Sequence, residues 1–299
     1  MLPFLQLAPL LFQQNVGRQL LYRTPEPEEL VVTDGGDAVA QYDQVMSTKL
    51  AINYAIGVES VYRARQKSSG GNALDVACGP GHMSLSMLNH LRLDGLTGLD
   101  LSEPMVATAT KNAREQGFQG ASFVSGDATD LPFEDSQFDL TTMVDAAHHM
   151  PTIEHVSEAL AEMDRVTQED GLVFLMDLVR LRTESITKRY VSVLGADYEQ
   201  RGLESFLQQF HDSMFAAWRA DEIISAIPQT TERNWFLLIP RGVPFAQLLF
   251  GVPKGQSHIF LRSGAPWGPS LPLRSEEVME YKLARFGVSF AQKKTPQKT

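Results

Sequence analysis

The sequence predicts an α/β fold: a doubly wound, mostly parallel sheet with helices on both faces. Short apolar runs alternate with helical spacing along most of the chain, the pattern of successive strand–helix–strand units. One such run, Ala73-Leu74-Asp75-Val76, leads into the glycine turn Cys78-Gly79-Pro80-Gly81, and helical spacing follows from His82. Two later runs also end in acids, at Gly98-Leu99-Asp100 and at Val124-Ser125-Gly126-Asp127. Acids at the C-terminal ends of neighbouring parallel strands line one sheet edge, where open α/β sheets bind ligands.

The elements follow in order. The opening Leu2–Phe12 is apolar but lacks a basic start and a small-residue cleavage site, so a signal peptide is not expected. It is too short and too interrupted by proline to span a bilayer, and packing against protein is expected instead. Val16–Tyr22 reads as a short helix and Thr24–Glu29 as a breaker. Val39, Tyr42, Val45, Met46, Leu50, Tyr54, Ile56 and Val61 give Asp37–Arg65 helical spacing. Lys67–Asn72 links this cap to the first strand, and His82–Leu91 is the first crossover helix. Ser102 as N-cap and Pro104 in the first turn start the next.

Phe118–Gly126 supplies a third strand. Phe138–Val144 is a fourth, apolar enough to be buried on both faces. Thr152–Val166 is helical and Gly171–Leu178 is a fifth strand. Glu184–Leu194 and Leu203–Ala217 read as helices, another starts at Ala220, and Asn234–Ile239 is a strand. Ser275–Phe286 reads as a last helix before a basic tail, Lys293–Lys298.

Composition narrows the class. At 299 residues, with 43% apolar and 21% charged residues, the chain can bury a core. Its formal net charge of −10 argues against a broad nucleic-acid or anionic-membrane surface. Cys78 is the only cysteine, so no intrachain disulfide forms and a reducing, cytoplasmic setting fits.

The glycine turn has a physical reading of its own. Gly79 and Gly81 let backbone approach a ligand closely. The helix that follows offers free N–H groups and a positive dipole end. Asp75 at the strand tip suits an ammonium, and Asp100, about 20 residues past the turn, stands where an acid meets ribose hydroxyls. The plain alternative is a turn that only packs helix on strand. A dinucleotide dehydrogenase would place its third glycine at Ser84.

Leu74-Asp75-Val76-Ala77-Cys78-Gly79-Pro80-Gly81, Gly98-Leu99-Asp100-Leu101-Ser102-Glu103-Pro104-Met105 and Gly126-Asp127-Ala128-Thr129-Asp130-Leu131-Pro132-Phe133 resemble class I S-adenosylmethionine-dependent methyltransferases. Phe138-Asp139-Leu140 with Ala147-His148-His149-Met150, and Gly171–Asp177, are similar to that family's fourth- and fifth-strand segments. The resemblance runs from about Tyr42 to Ile227. It implies a seven-stranded Rossmann-like methyltransferase sheet in residues 67–240, behind an N-terminal arm and helical cap in 1–66. A C-terminal extension occupies 241–299. It also implies a closing antiparallel hairpin, for which Ser257–Arg262 is the expected second strand.

Site roles follow from the same resemblance. Asp75, Gly79 and Gly81 would hold the methionine part of S-adenosylmethionine, with Ala77 and Cys78 beside them. Asp100 would take the ribose, Leu101 and Met105 the adenine face, and Asp127 and Ala128 the adenine edge. Met143, Val144 and Asp145 would line the sulfonium end. Asp145 and His148 are the candidate catalytic residues. Tyr42, Asp145, His148, Arg180 and Arg219 are the candidate acceptor contacts. His148, His149 and His155 are metal-ligand types without a recognised spacing, and no metal is expected.

The implied reaction moves a methyl group to an O, N or S atom of a small metabolite and leaves S-adenosylhomocysteine. The alternatives are an RNA or protein methyltransferase, and a cofactor-binding partner protein without transferase activity. The apolar arm and long C-terminal addition are compatible with a homodimer.

Overall fold

The computed structural model describes residues 9–10, 12–14, 16, 18–26, 36–48, 51–196, 203–240, 245–264 and 282. Its centre is a seven-stranded sheet of order β3-β2-β1-β4-β5-β7-β6. The strands are β1 (Asn72–Val76), β2 (Gly95–Asp100), β3 (Ala121–Ser125), β4 (Phe138–Val144), β5 (Thr167–Leu178), β6 (Arg233–Leu238) and β7 (Ala246–Pro253). The first five pair in parallel, and β7 runs antiparallel to both β5 and β6. The order reverses at β1 and β4, so the crevice of a doubly wound sheet opens at their C-terminal tips.

The helices around the sheet include α1 (Gly36–Thr48), α2 (Ala51–Ala64), α3 (His82–His90), α4 (Glu103–Glu115), α5 (Ile153–Val166), α6 (Glu184–Gly195), α7 (Glu204–Ala216) and α8 (Ala220–Ala226). Ser102 caps α4 by accepting from the Met105 N–H, with Pro104 in the first turn. On α5, Val156, Ala159, Leu160, Met163 and Val166 make one buried stripe at helical spacing.

Alternation along β5 makes the two cores. Val173 and Leu175 face Leu160, Met163 and Trp235 on one side. Phe174 and Met176 face Val58, Val61 and Met83 on the other. A strand buried on both faces needs apolar residues at every position, as the burial of all of β4 shows.

Three local expectations differ from the structure. The stretch Asp37–Arg65 forms two helices, α1 and α2. Residues 18–26, partly expected as helix, instead form an irregular strap. The Leu20 and Leu21 N–H groups donate to the Arg182 carbonyl at 2.7 and 3.0 Å, and the Gln19 amide donates to Leu181 O. A helix this short is marginal alone, and these tertiary bonds override it. The partner of β6 is β7, not Ser257–Arg262. That segment runs as loop, with the Leu261 N–H donating to Arg63 O at 2.7 Å.

The division placed at residue 240 therefore falls between two strands of one ladder. Of the apolar arm, Leu10 is buried against Val179, Ile186, Tyr190 and Phe245 of its own chain. The expected last helix and basic tail lie outside the described residues, apart from Lys282. No helix among the described residues is long and apolar enough to cross a membrane.

Candidate functional site

The tips of β1, β2 and β4 converge on the glycine turn. Asp100 ends β2 and folds back over the turn. Its Oδ2 accepts from the Gly79 N–H at 2.7 Å and its Oδ1 from the Ser102 N–H at 2.9 Å. Burial raises its pKa, against the pull of those two N–H groups. Gly79 has φ +53°, and a Cβ built there would meet only Tyr42 Cε1, at 3.8 Å. Its missing side chain leaves room directly above the turn.

Gly81 differs. At φ +82°, a Cβ there would lie 3.0 Å from Ala109 and 3.1 Å from the Phe123 ring. It lets α3 pack on its neighbours, and no side chain caps the N-terminus of α3. Beside the turn, Leu101 is 53% exposed, an uncovered apolar side chain at the crevice.

Asp75 lies beneath this surface rather than on it. It is 1% exposed, and its carboxylate accepts from Ser84 Oγ at 2.5 Å and Thr142 Oγ1 at 2.7 Å. Burial, outweighing those hydroxyls and aided by Asp100, pushes its pKa up to about 6. The residue expected to meet an ammonium directly therefore ties β1 to β4 and α3. Cys78 is buried, and burial raises its thiol pKa well above the ordinary value.

Two non-glycine residues hold left-handed backbone at the strand tips, Ala77 at φ +53° and Asp145 at φ +52°. Each such residue costs about 1–3 kcal/mol and is kept where surrounding structure fixes it. Here the Asp145 N–H donates to Met176 O at 2.8 Å. The turn at Asp145 sets its carboxylate among other acids. Burial, then the neighbouring Asp177, pushes its pKa up to about 7. Its Oδ2 is buried without a hydrogen-bond partner, and so is Oδ2 of Asp177.

His148 stands in the short 3₁₀ turn Ala147–His149 that follows. Its Nδ1 lies 2.6 Å from Asp177 Oδ1, both side chains being buried. Burial works against its imidazolium. The charge and hydrogen bond of Asp177, then Glu26 and Asp145, outweigh it and lift the pKa to about 9. The His149 ring lies 4.1 Å from that of His148, and its Nδ1 bonds Glu26 of the strap. Glu26 also accepts from Ser213 Oγ at 2.6 Å. Burial opposes its charge, yet His149 and His148 hold its pKa at about 2.

Arg23 pins the strap over this turn. Its guanidinium donates to the carbonyls of Ala216, Pro151, His148 and Met150 at 2.7–3.2 Å. It stacks 3.7 Å from the Trp218 ring centroid. From the other side, α1 covers the glycine turn. Asp43 Oδ1 binds His82 Nε2 at 2.7 Å and the Asn112 amide at 2.8 Å, tying α1 to α3 and α4. Burial, then Asp145, Asp100, Glu26 and Asp177, raises the Tyr42 pKa, which places its phenol within the field of all four acids.

Residues 74–175 match the family described as a methyltransferase domain. They form a class I S-adenosylmethionine-dependent methyltransferase domain. The chain is 37% identical over 110 residues to a phthiotriol/phenolphthiotriol dimycocerosates methyltransferase of Mycobacterium ulcerans, covering 37% of this chain and 38% of that protein. It is 34% identical over 109 residues to a demethylmenaquinone methyltransferase of Bacillus cytotoxicus, covering 36% and 45%. The match thus spans less than half the length of either relative. Among solved structures, a candidate S-adenosylmethionine-dependent methyltransferase of Methanococcus maripaludis superposes with a TM-score of 0.52 at 17% identity. That superposition covers 80% of this chain and 99% of that one, and shows the shared fold.

Within the methyltransferase domain, the structure brings together Asp100, Gly79, Leu101, Tyr42, Asp145 and His148 of the residues singled out from sequence. The others are buried, exposed or paired around that group. Met143 and Val144 sit in the cores on opposite faces of β4, and Met105 is buried in α4. Asp127 is exposed, and its Oδ1 accepts from the Thr129 N–H and hydroxyl at 2.8 Å; Ala128 packs beside it against the core. Arg180 is paired with Glu222, and Arg219 with Asp221 and Glu222 at the start of α8.

The sequence reading missed Asp177 and Glu26. Asp177 carried a signal, since it ends an apolar run as Asp75 and Asp100 do. Glu26, in a proline- and glutamate-rich breaker, carried none. His155, half-buried at the start of α5, bonds Thr152 and does not join the other two histidines.

Proposed function

We propose that this protein transfers the methyl group of S-adenosylmethionine to a hydroxyl oxygen of a small neutral molecule, in the cytoplasm. The observation that carries the reading is the Asp100 carboxylate closed onto the Gly79 N–H beside an open glycine position. That pair forms the wall for a ribose and the floor for a close-packed ligand chain. Asp100, Gly79 and Leu101 are assigned to the donor, with Asp127 and Ala128 at the adenine edge. Asp75 acts beneath them as a positioning residue.

The donor's sulfonium is already activated, so the protein's task is to hold oxygen, methyl carbon and sulfur in line and exclude water. The acids around Tyr42 favour a positive sulfonium and oppose an acceptor bearing a carboxylate or phosphate. Asp145, a carboxyl with proton affinity near neutrality, takes the acceptor proton as the C–O bond forms and the C–S bond breaks. His148, oriented by Asp177, stands beside Asp145 at the acceptor end of the site. Two relatives are named for small-molecule acceptors, and the one named for a phthiotriol and a phenolphthiotriol supports the hydroxyl assignment.

The test has two steps. Isothermal titration with S-adenosylmethionine should show saturable binding at one site. Turnover to S-adenosylhomocysteine with a panel of phenols, aliphatic diols, amines and thiols should then favour the hydroxyl compounds. Turnover confined to amines or thiols would overturn the oxygen assignment.

A further inference from the structure

The strap brings a third ligand to the two neighbouring histidines. One nitrogen from each of His148 and His149 and one oxygen of Glu26 lie within 4.8 Å of one another. Because Asp177 holds His148 Nδ1, the free ligand atom of that ring is Nε2. A carboxylate behind a histidine is the arrangement that fixes the tautomer and orientation of a metal ligand. Glu26 is in turn held by Ser213, so both ends of the triad have supporting partners.

We infer that Glu26, His148 and His149 form a binding site for one divalent first-row transition metal, with Asp177 as its supporting carboxylate. Two imidazoles and one carboxylate suit zinc or iron(II) and leave coordination positions open. Magnesium and calcium prefer all-oxygen shells, so the donor set discriminates against them.

Charge supports the assignment independently. Asp145 and Asp177 each keep a buried Oδ2 without a hydrogen-bond partner, and Glu26 adds a third carboxylate. A divalent ion would compensate this buried negative charge. The strap makes the site conditional on the chain's first residues, because Glu26 reaches it only where Arg23 anchors the backbone to the Met150 and Pro151 carbonyls. Binding of the ion stands apart from the methyl-transfer reading. Its use, lowering the pKa of an acceptor hydroxyl at an open position, rests on that reading.

The test uses the full chain stripped of metal with a chelator and then dialysed. Cobalt(II) serves as a coloured probe and zinc(II) as the calorimetric one. Expected are a visible d–d absorption that saturates at about one equivalent and a matching zinc isotherm, with no response to magnesium. Glu26→Gln and His149→Ala should each weaken zinc binding about 10-fold or more. Circular dichroism melts and donor titration of both variants establish that they fold. No saturable signal in the parent chain, or an unchanged one in both folded variants, would overturn the site. Donor titration of the metal-free parent keeps the two readings separate. Donor binding without metal binding removes only the metal site, and metal binding without donor binding removes only the transferase reading.

Discussion

The imidazole of His148 and the carboxylate of Asp177 meet at 2.6 Å from the ends of two different segments, the turn after β4 and the tip of β5. Neither side chain reaches bulk water, so the ring has a single orientation. Replacing the acid with its amide removes the charge and permits the other ring orientation. Asp177→Asn should lower turnover about 10–100-fold, while donor affinity stays near the parent value. A matching loss of donor affinity would mean that the pair only supports the fold.

Asp145→Asn tests the proton acceptor. Asparagine tolerates left-handed backbone, so the turn at φ +52° should survive. Turnover should fall about 100-fold or more. In the parent chain, turnover should rise with pH through about 7 as this carboxyl ionises, and the variant should lose that rise. A parallel profile in both proteins would exclude Asp145 as the base.

Asp100→Ala removes a charged acceptor from the Gly79 and Ser102 N–H groups as well as the proposed ribose contact. The loss of charge-assisted hydrogen bonds, about 1.5–3 kcal/mol, predicts donor binding about 10–100-fold weaker by calorimetry. Unaltered affinity would sink the ribose assignment.

The two glycines of the turn should respond differently. Gly79→Ala places a methyl in open space, so stability should drop only by the left-handed backbone strain, about 1 kcal/mol. Donor affinity should fall about 10-fold, because the methyl intrudes where the ligand packs. Gly81→Ala adds contacts at 3.0–3.1 Å to the same kind of strain, and should cost about 2 kcal/mol or more in denaturant unfolding. Equal effects of the two substitutions on stability would refute the distinction.

Asp75 sets a pH dependence of folding. Its pKa rises on folding from the ordinary 3.8 to about 6. Between those values the folded chain keeps a proton that the unfolded chain has released, so this group's contribution to stability falls as pH rises through that window. It levels off above about pH 6, after a loss on the order of 3 kcal/mol. Asp75→Asn stays neutral throughout. The melting temperature of the variant relative to the parent should therefore climb between pH 4 and about pH 7. A constant difference would show that Asp75 is not buried as described.

Much of this was legible in the sequence because local chemistry and tertiary role coincide. Phe138–Val144 is apolar at every position because β4 is covered on both faces, and its bounds follow from that run alone. Ser102 and Pro104 announce α4 because capping is local. The missed partner strand shows the opposite case. Gly251 and Pro253 read as breakers, yet a Cβ at Gly251 would lie 2.8 Å from the Trp235 ring, so the glycine seats the indole of the paired strand. The strap was illegible for a related reason. Arg23 finds its acceptors 125 to 193 positions away, at His148 and Ala216, and no periodicity encodes such pairs.

The insertion of β7 between β5 and β6 bears on how the chain is made. During synthesis β5 and β6 emerge first, but β5 can pair only with β4 and β6 with no strand until residues 246–253 have cleared the ribosome. Until then β5 presents a long apolar border with unpaired amides, the kind of surface that recruits other nascent chains. Completion of this domain is therefore a late, long-range event, and a chain ended before β7 would lack the strand that joins β6 to the rest.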